Sequence, residues 1–329
     1  MNRRRKLVLA LGARALTAPF SAFAQQPAKV ARIGWLTGGT PASSARAAQS
    51  FREGLRELGH IEGRNIVIES RYTHGNVELF SGFADELVRL NPDCIVASGF
   101  NAVRALTQLT RTIPIVIANI DADPVREGLV VSLARPGGNV TGLTGIQWEL
   151  AGKRLELLRE IAPKASHIAL LFDPRSRAGH SHVEVTQGIA RKLGMQLQVL
   201  EVRDPKGIEL AFIAARKGRA DAISVIHTGI MATQRPTIVK LALNARLPAI
   251  YSDITFVIDG GLMAYAPDIS AQYRSAAVFV DKILKGAKPA DLPIEQPTKF
   301  ELVINMKTAK VLGITIPQSI LVRADRLIE

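Results

Sequence analysis

Four short apolar runs recur in the same order, with the same punctuation, about 130 residues further along the chain. In the first pass, residues 33–36, 65–69, 93–97 and 113–118 read as strands. Between them, 44–58, 77–90 and 102–110 carry apolar residues at helical spacing. Ala47, Phe51, Leu55 and Leu58 share one helix face, and Gly59 is the stop. In the second pass, residues 168–172, 196–202, 221–226 and 247–251 take the place of the four strands. Asp93 and Asp221 open the third strand of each pass. Pro114 and Pro248 stand at the start of the fourth, which is expected to begin edge-like because proline has no N–H for a ladder. Strands alternating with helices imply a parallel sheet covered on both faces. The expected fold class is therefore α/β, with two doubly wound parallel-sheet lobes. The 329 residues, of which 47% are apolar, are enough for two such units.

The first 24 residues follow a different pattern. Arg3, Arg4, Arg5 and Lys6 precede an apolar stretch, interrupted by Arg14, and Ala22-Phe23-Ala24 forms a small-x-small cleavage site. This is the pattern of a secretory signal peptide, and no cysteine lies near it to carry a lipid. The expected location is the periplasm. Subtracting the five basic residues of this segment from the formal charge of +13 leaves +8. The remaining Lys and Arg are scattered and not interleaved with aromatics, so no nucleic-acid partner is expected. No later apolar stretch reaches the roughly 18 residues of a membrane span. Cys94 is the single cysteine. It lies in an apolar strand and reads as a core residue.

Motifs for catalysis and cofactors are missing. Residues 145–153 end in Gly-Lys without the spacing of a phosphate-binding loop. Gly38-Gly39-Thr40-Pro41 lacks the third glycine of a dinucleotide site. There is no G-x-S-x-G elbow and no H-E-x-x-H. His180 and His182 sit beside Arg175 and Arg177, a poor setting for a metal. His60, His74, His167 and His227 are dispersed; His227, at a strand end, is placed to face the cleft between the lobes, but its type there reads first as a hydrogen-bonded structural histidine. No metal, no cofactor and no enzymatic activity are expected.

The ends of the strands offer binding groups instead. Ligands of open α/β sheets sit beyond the carboxyl ends of the strands. There the chain places Thr37, Gly38 and Thr40; Ser98, Gly99 and Asn101; Asn119, Asp121 and Asp123; then Asp173, Thr228 and Asp253. Hydroxyls, amides and helix N-termini suit a carboxylate or other polar head group. A buried carboxylate such as Asp123 or Asp253 suits an ammonium. As plain helix caps the same residue types have a purely structural role.

Four longer runs carry a resemblance: DPVREGLVVSLARPGGNVTG at 123–142, GGLMAYAPD at 260–268, VDKILKGAKPADLPIEQPTKF at 280–300 and LVINMKTAK at 302–310. They resemble the ABC-transporter substrate-binding family related to the TrpX tryptophan-uptake proteins, over nearly the whole chain after residue 24. The resemblance implies a type I periplasmic-binding fold with crossover strands forming a hinge. It places 28–145 and 263–290 in the N-terminal lobe and 146–262 and 291–329 in the C-terminal lobe. It also carries Thr37, Ser98, Asn101, Asp123, Asp253 and Tyr265 over as ligand contacts. Ala266 after the crossover tyrosine, the loop Ser98-Gly-Phe-Asn101 and the charged stretch 175–182 depart from the family pattern. The expected site is Thr37, Gly38, Ser98, Asn101, Asp123, Asp173, Thr228, Asp253 and Tyr265.

The expected function is a monomeric, exported solute-binding protein. It captures a small amino-acid-like or carboxylate-bearing ligand by hinge closure and serves the membrane permease of an ABC importer. The alternatives are a periplasmic ligand-sensing accessory and, on weaker grounds, an enzyme on a two-lobed α/β scaffold. A repressor core would put a helix-turn-helix where the signal pattern lies, and a receptor would continue into a membrane span.

Overall fold

The apolar runs become strands buried on both faces. The protein is described by a computed structural model covering residues 30–120, 122–145 and 149–329. The expected signal segment and Asp121 lie outside the described residues. The first sheet holds β1 (Ala31–Thr37), β2 (Ile66–Tyr72), β3 (Cys94–Ser98), β4 (Ile115–Asn119) and β5 (Val140–Gly142) in the order β2-β1-β3-β4-β5. The second holds β6 (His167–Phe172), β7 (Gln196–Glu201), β8 (Ala222–Val225), β9 (Ala249–Tyr251), β10 (Met263–Pro267), β11 (Phe300–Asn305) and β12 (Arg326–Ile328). Their order is β12-β11-β10-β9-β8-β6-β7. The first four strands of each pass thus share one arrangement, and all their pairings are parallel. Among the described residues, only β10 with β11 is antiparallel.

Successive side chains of a strand point to opposite faces, and here both faces are covered. Leu36, Ile95, Ala97, Ile115 and Ile117 enter one core layer of the first lobe. Ile33, Trp35, Cys94, Val96 and Val116 enter the other. This is why the strands read as continuous apolar runs rather than as alternations. Burial pushes the Cys94 thiol up to about 12, which keeps it protonated. The helix Ala45–Glu57 buries Ala48, Phe51 and Leu55. Each large side chain so buried is worth about 1.5–3 kcal/mol. At Gly54 a Cβ would lie 3.0 Å from Ala277 Cβ and 3.1 Å from the Arg274 backbone, so glycine lets this helix meet the helix Ile269–Leu284 closely. Arg274 clamps the same contact with ion pairs to Glu53 and Glu57.

The repeated Asp and Pro have equivalent structural roles in the two lobes. Asp93 Oδ2 accepts from Arg32 N at 2.8 Å, at the start of β1. Asp221 Oδ2 accepts from Ser166 N and His167 N at 2.9 Å each, at the start of β6. Burial opposes ionisation of Asp221, but these bonds outweigh it and hold its carboxyl below the usual range. Pro114 and Pro248 immediately precede β4 and β9, which are interior strands and not the edge-like ones expected. Their carbonyls accept from Ile95 N at 2.8 Å and Ile223 N at 2.9 Å, so the ladder begins without needing the missing N–H.

The expected return to the first lobe at 263 needs correction. Strand β10 pairs with β9 and β11 in the second sheet, with Met263, Ala264 and Ala266 fully buried there. The return begins only at Asp268, whose carboxylate caps the helix Ile269–Leu284 through Ala271 N at 3.1 Å. The expected boundary at 290/291 also falls too early. Ile294 packs in the core of the first lobe, and Ile294 N donates to Leu133 O at 2.8 Å. Among the described residues, 267–269 and 295–300 therefore run between the lobes. Residues Ala31–Glu329 form one compact unit. Among the described residues, no helix is long and apolar enough to cross a membrane.

Candidate functional site

The carboxyl ends of both sheets converge on one cleft of about 1180 Å³, open mouth included. The first lobe brings Thr37 and Gly38 from the end of β1, Ser98 from β3, Asn119 from β4 and Gly75 from beyond β2. The second brings Asp173 from beyond β6, His227 and Thr228 from beyond β8, and Asp253 from beyond β9. Both lobes thus present the strand ends where their order reverses, the place an open α/β sheet reserves for ligands.

The two rims touch. A Cβ built on Gly229 would lie 2.7 Å from Gly38 O, and one on Gly75 would lie 3.1 Å from Ile230 Cα. Arg175 Nη2 reaches from the second lobe to Gly75 O in the first at 3.4 Å. Asp173 holds that guanidinium with Oδ2 at 2.9 Å from Nη2, and this hydrogen bond raises the Arg175 titration further. The arrangement is a closed one, and small residues at the rims make it possible.

Seven of the nine expected residues line this cleft: Thr37, Gly38, Ser98, Asn101, Asp173, Thr228 and Asp253. Asp123 does not. Its Oδ1 accepts from Val125 N at 2.9 Å and Arg126 N at 3.2 Å, so it closes a turn outside the cleft. Tyr265 does not either. As part of β10 it packs on the second-lobe core with its ring 6.1 Å from Phe300, and its carbonyl accepts from Arg154 Nε at 2.8 Å. The tyrosine in the cleft is Tyr273, one helix later. Its hydroxyl donates to Ser98 Oγ at 2.8 Å and its ring stacks on Trp35 at 5.5 Å. Sequence reasoning also missed Arg46, Phe80 and Thr255. Arg46 and Phe80 lie inside helices, and Thr255 opens the short helix just past β9; no local pattern marks them.

The electrostatics centre on His227 and Asp253. His227 Nδ1 lies 3.0 Å from Asp253 Oδ2. Asp253 Oδ1 accepts from Thr255 N at 2.8 Å and Thr255 Oγ1 at 2.7 Å. Burial disfavours the Asp253 carboxylate, yet His227 and the Thr255 bonds overcome it and keep the group ionised well below the usual range. Two buried polar atoms in the cleft, Thr228 Oγ1 and Asn119 Oδ1, have no hydrogen-bond partner among the described residues. A buried polar atom left so costs about 1–3 kcal/mol, which a polar guest would offset. Among the described residues no cluster of His, Cys, Asp and Glu suits a metal.

Two α/β lobes closing on a polar, partly apolar cleft define a solute-binding protein of the type I periplasmic-binding fold. Residues 41–328 match the model of the family described as ABC transporter substrate binding protein, and the chain belongs to that family. It is 26% identical over 267 residues to a tyrosine-binding protein of Clostridioides difficile, covering 81% of this chain and 76% of that one. Among solved structures it resembles an ABC domain from Streptococcus pneumonia in complex with L-Trp, at 28% identity and TM-score 0.82, covering 91% of this chain and 99% of the other. A conserved domain protein from Vibrio cholerae matches at 28% identity and TM-score 0.84, covering 91% and 100%. The family is one of substrate-binding proteins that serve ABC transporters, as expected from the sequence.

Proposed function

We propose that the protein captures an amino-acid-like or other small carboxylate-bearing solute outside the cytoplasm, closes its lobes over it, and presents the closed form to an importer's permease. The observation that carries this reading is the pair of buried atoms, Asn119 Oδ1 from the first lobe and Thr228 Oγ1 from the second, whose residues line one cleft and which have no hydrogen-bond partner among the described residues. Each needs a polar partner that the described residues do not provide. The relatives that bind tyrosine and L-Trp support the same ligand class. Phe80, Phe100 and Tyr273 supply apolar surface beside the polar groups, a combination typical of small-molecule sites.

Within this reading, segment 1–24 directs export, the protein acts as a monomer, and Thr37, Gly38, Ser98, Asn101, Asp173, Thr228 and Asp253 form the cleft wall. Closure works by differential affinity: the ligand stabilises the form that touches it from both sides. Micromolar capture requires about 8 kcal/mol. Thermal-shift screening against amino acids, small carboxylates and aromatic acids tests the reading. A stabilising hit followed by one-to-one calorimetric binding is expected. Silence across all three sets refutes the ligand class.

A further inference from the structure

One contact between the rims is built from parts that each lobe fixes beforehand. In the second lobe the buried Asp173 holds Arg175 by three bonds. Its Oδ1 accepts from Arg175 N at 2.9 Å and Arg175 Nε at 3.0 Å, and its Oδ2 from Nη2 at 2.9 Å. A fork of this kind leaves a guanidinium little freedom. The backbone around it is pinned as well. Ser176 N donates to Asp173 O at 3.0 Å, and Ser176 Oγ accepts from Gly179 N at 3.3 Å as the cap of the helix Arg177–Lys192.

The first lobe fixes the acceptor. His74 and Gly75 have left-handed φ values of 54° and 81°, a conformation that is costly for a residue with a side chain. The loop after β1 holds them there: Gly75 N donates to Gly38 O at 2.7 Å and His74 N to Gly39 O at 3.1 Å. With the turn so held, Gly75 O meets Arg175 Nη2 of the other lobe at 3.4 Å. Charge supports the same contact. The Arg175 cation is favoured first by the Asp173 hydrogen bond and then, against a cost of burial, by the charges of Asp173, Glu78 and Asp204. Glu78 belongs to the first lobe, so the lobes attract each other at this point.

Asp173 and Ser176 line the cleft, and Arg175 between them does not. Its bond to Gly75 therefore forms beside the guest and not to it. Both partners are ordered in advance, so closure makes the bond at little entropic cost. Arg175 also opens the charged stretch 175–182, where the chain departs from the family pattern.

We propose, resting on the capture reading above, that Arg175 is a positioning residue for closure. It fastens the second lobe to the Gly75 carbonyl of the first and slows release of the bound solute without touching it. Such a fastening acts on the closed form alone. It sets how long a guest is held, while the cleft wall sets which guest is held.

Surface plasmon resonance and calorimetry on the purified protein test this with L-tryptophan, L-tyrosine and L-phenylalanine as probes. In R175Q the dissociation rate is expected to rise about three- to tenfold, by the same factor for every probe, with association unchanged and affinity falling in proportion. R175K keeps a cation beside Asp173 but lacks the fork that serves both lobes. It is expected to keep the ligand-free melting temperature of the wild type and still to release faster. A purely structural Arg175 would do the opposite, lowering the ligand-free melting temperature in both variants and leaving release unchanged. Wild-type release in R175Q, factors that differ from probe to probe, or a change confined to association each overturn the proposal and leave the capture reading standing. Should R175Q not fold, R175K decides by the same criteria. Silence of all three probes with the unaltered protein removes the ligand class, and the proposal with it.

Discussion

Replacing Gly229 by alanine puts a methyl group at a place where the two rims meet backbone to backbone. The new Cβ would lie 2.7 Å from Gly38 O, 3.0 Å from its carbonyl carbon and 3.1 Å from its Cα. All three are backbone atoms, so no side chain can swing aside. Ordinary contact would require the rims to part by roughly half an ångström or more, and overpacking of this kind costs about 1–3 kcal/mol. That penalty falls on the closed form alone. At about 1.4 kcal/mol per tenfold, ligand affinity drops by about 5-fold to 150-fold. The second lobe itself gains, because alanine is favoured over glycine in the helix Gly229–Thr233 by up to about 1 kcal/mol. The melting temperature without ligand is therefore unchanged or slightly raised. G38A is the matched comparison: its Cβ would meet Gly229 Cα at 3.3 Å and Phe80 Cζ at 3.4 Å, contacts that small shifts relieve. The assay is calorimetry with the tightest ligand from the thermal-shift screen, alongside ligand-free melts. Wild-type affinity in G229A would show that the bound form does not bring these rims together, and the closure reasoning would fall.

Three further outcomes follow from single side chains. Burial first, and Arg154 second, push His182 down to about 3. The unfolded chain takes up a proton near pH 6.5 that the folded one refuses, so stability is full above that pH and declines between 6.5 and 3 by up to about 1.4 kcal/mol per pH unit; H182L should flatten that part of a urea-denaturation series, and an unchanged slope would exonerate His182. Y273F removes the 2.8 Å bond to Ser98 Oγ but keeps the ring on Trp35, and should cost about 0.5–1.5 kcal/mol in chemical denaturation. D221A frees the N–H groups of Ser166 and His167 at the start of β6 and should cost about 1–2 kcal/mol at pH 7, with the cost shrinking as pH falls through the lowered titration range of the wild-type carboxylate; a cost that does not change with pH would point to lost packing instead.

Recognition of the two lobes from sequence succeeded for a local reason. Strands such as Cys94–Ser98 and Ala222–Val225 are buried on both faces, and that burial writes itself into the chain as unbroken apolar runs. Tyr265 shows where such reasoning stops. Its run reads as a strand, but the partner of that strand depends on β9 and β11, which lie 12 or more residues away on either side. The resemblance implies the first lobe and a ligand contact for it; the pairing puts it in the second lobe. Tyr273 carries no strand-end signal, and only the docking of its helix across β3 and β4 brings it to Ser98.

By itself, the sequence determined that this protein has two tandem α/β units, that the strand ends carry polar groups, and that Asp93 and Asp221 are equivalent. Each of these is encoded within one element or by a repeat of elements. Only the tertiary structure decided which carboxylates have room for a guest. Asp173 is satisfied two residues along by Arg175, and Asp253 by His227 from a neighbouring strand end. A charge's availability depends on what packs beside it, and in a parallel sheet those neighbours come from distant parts of the chain.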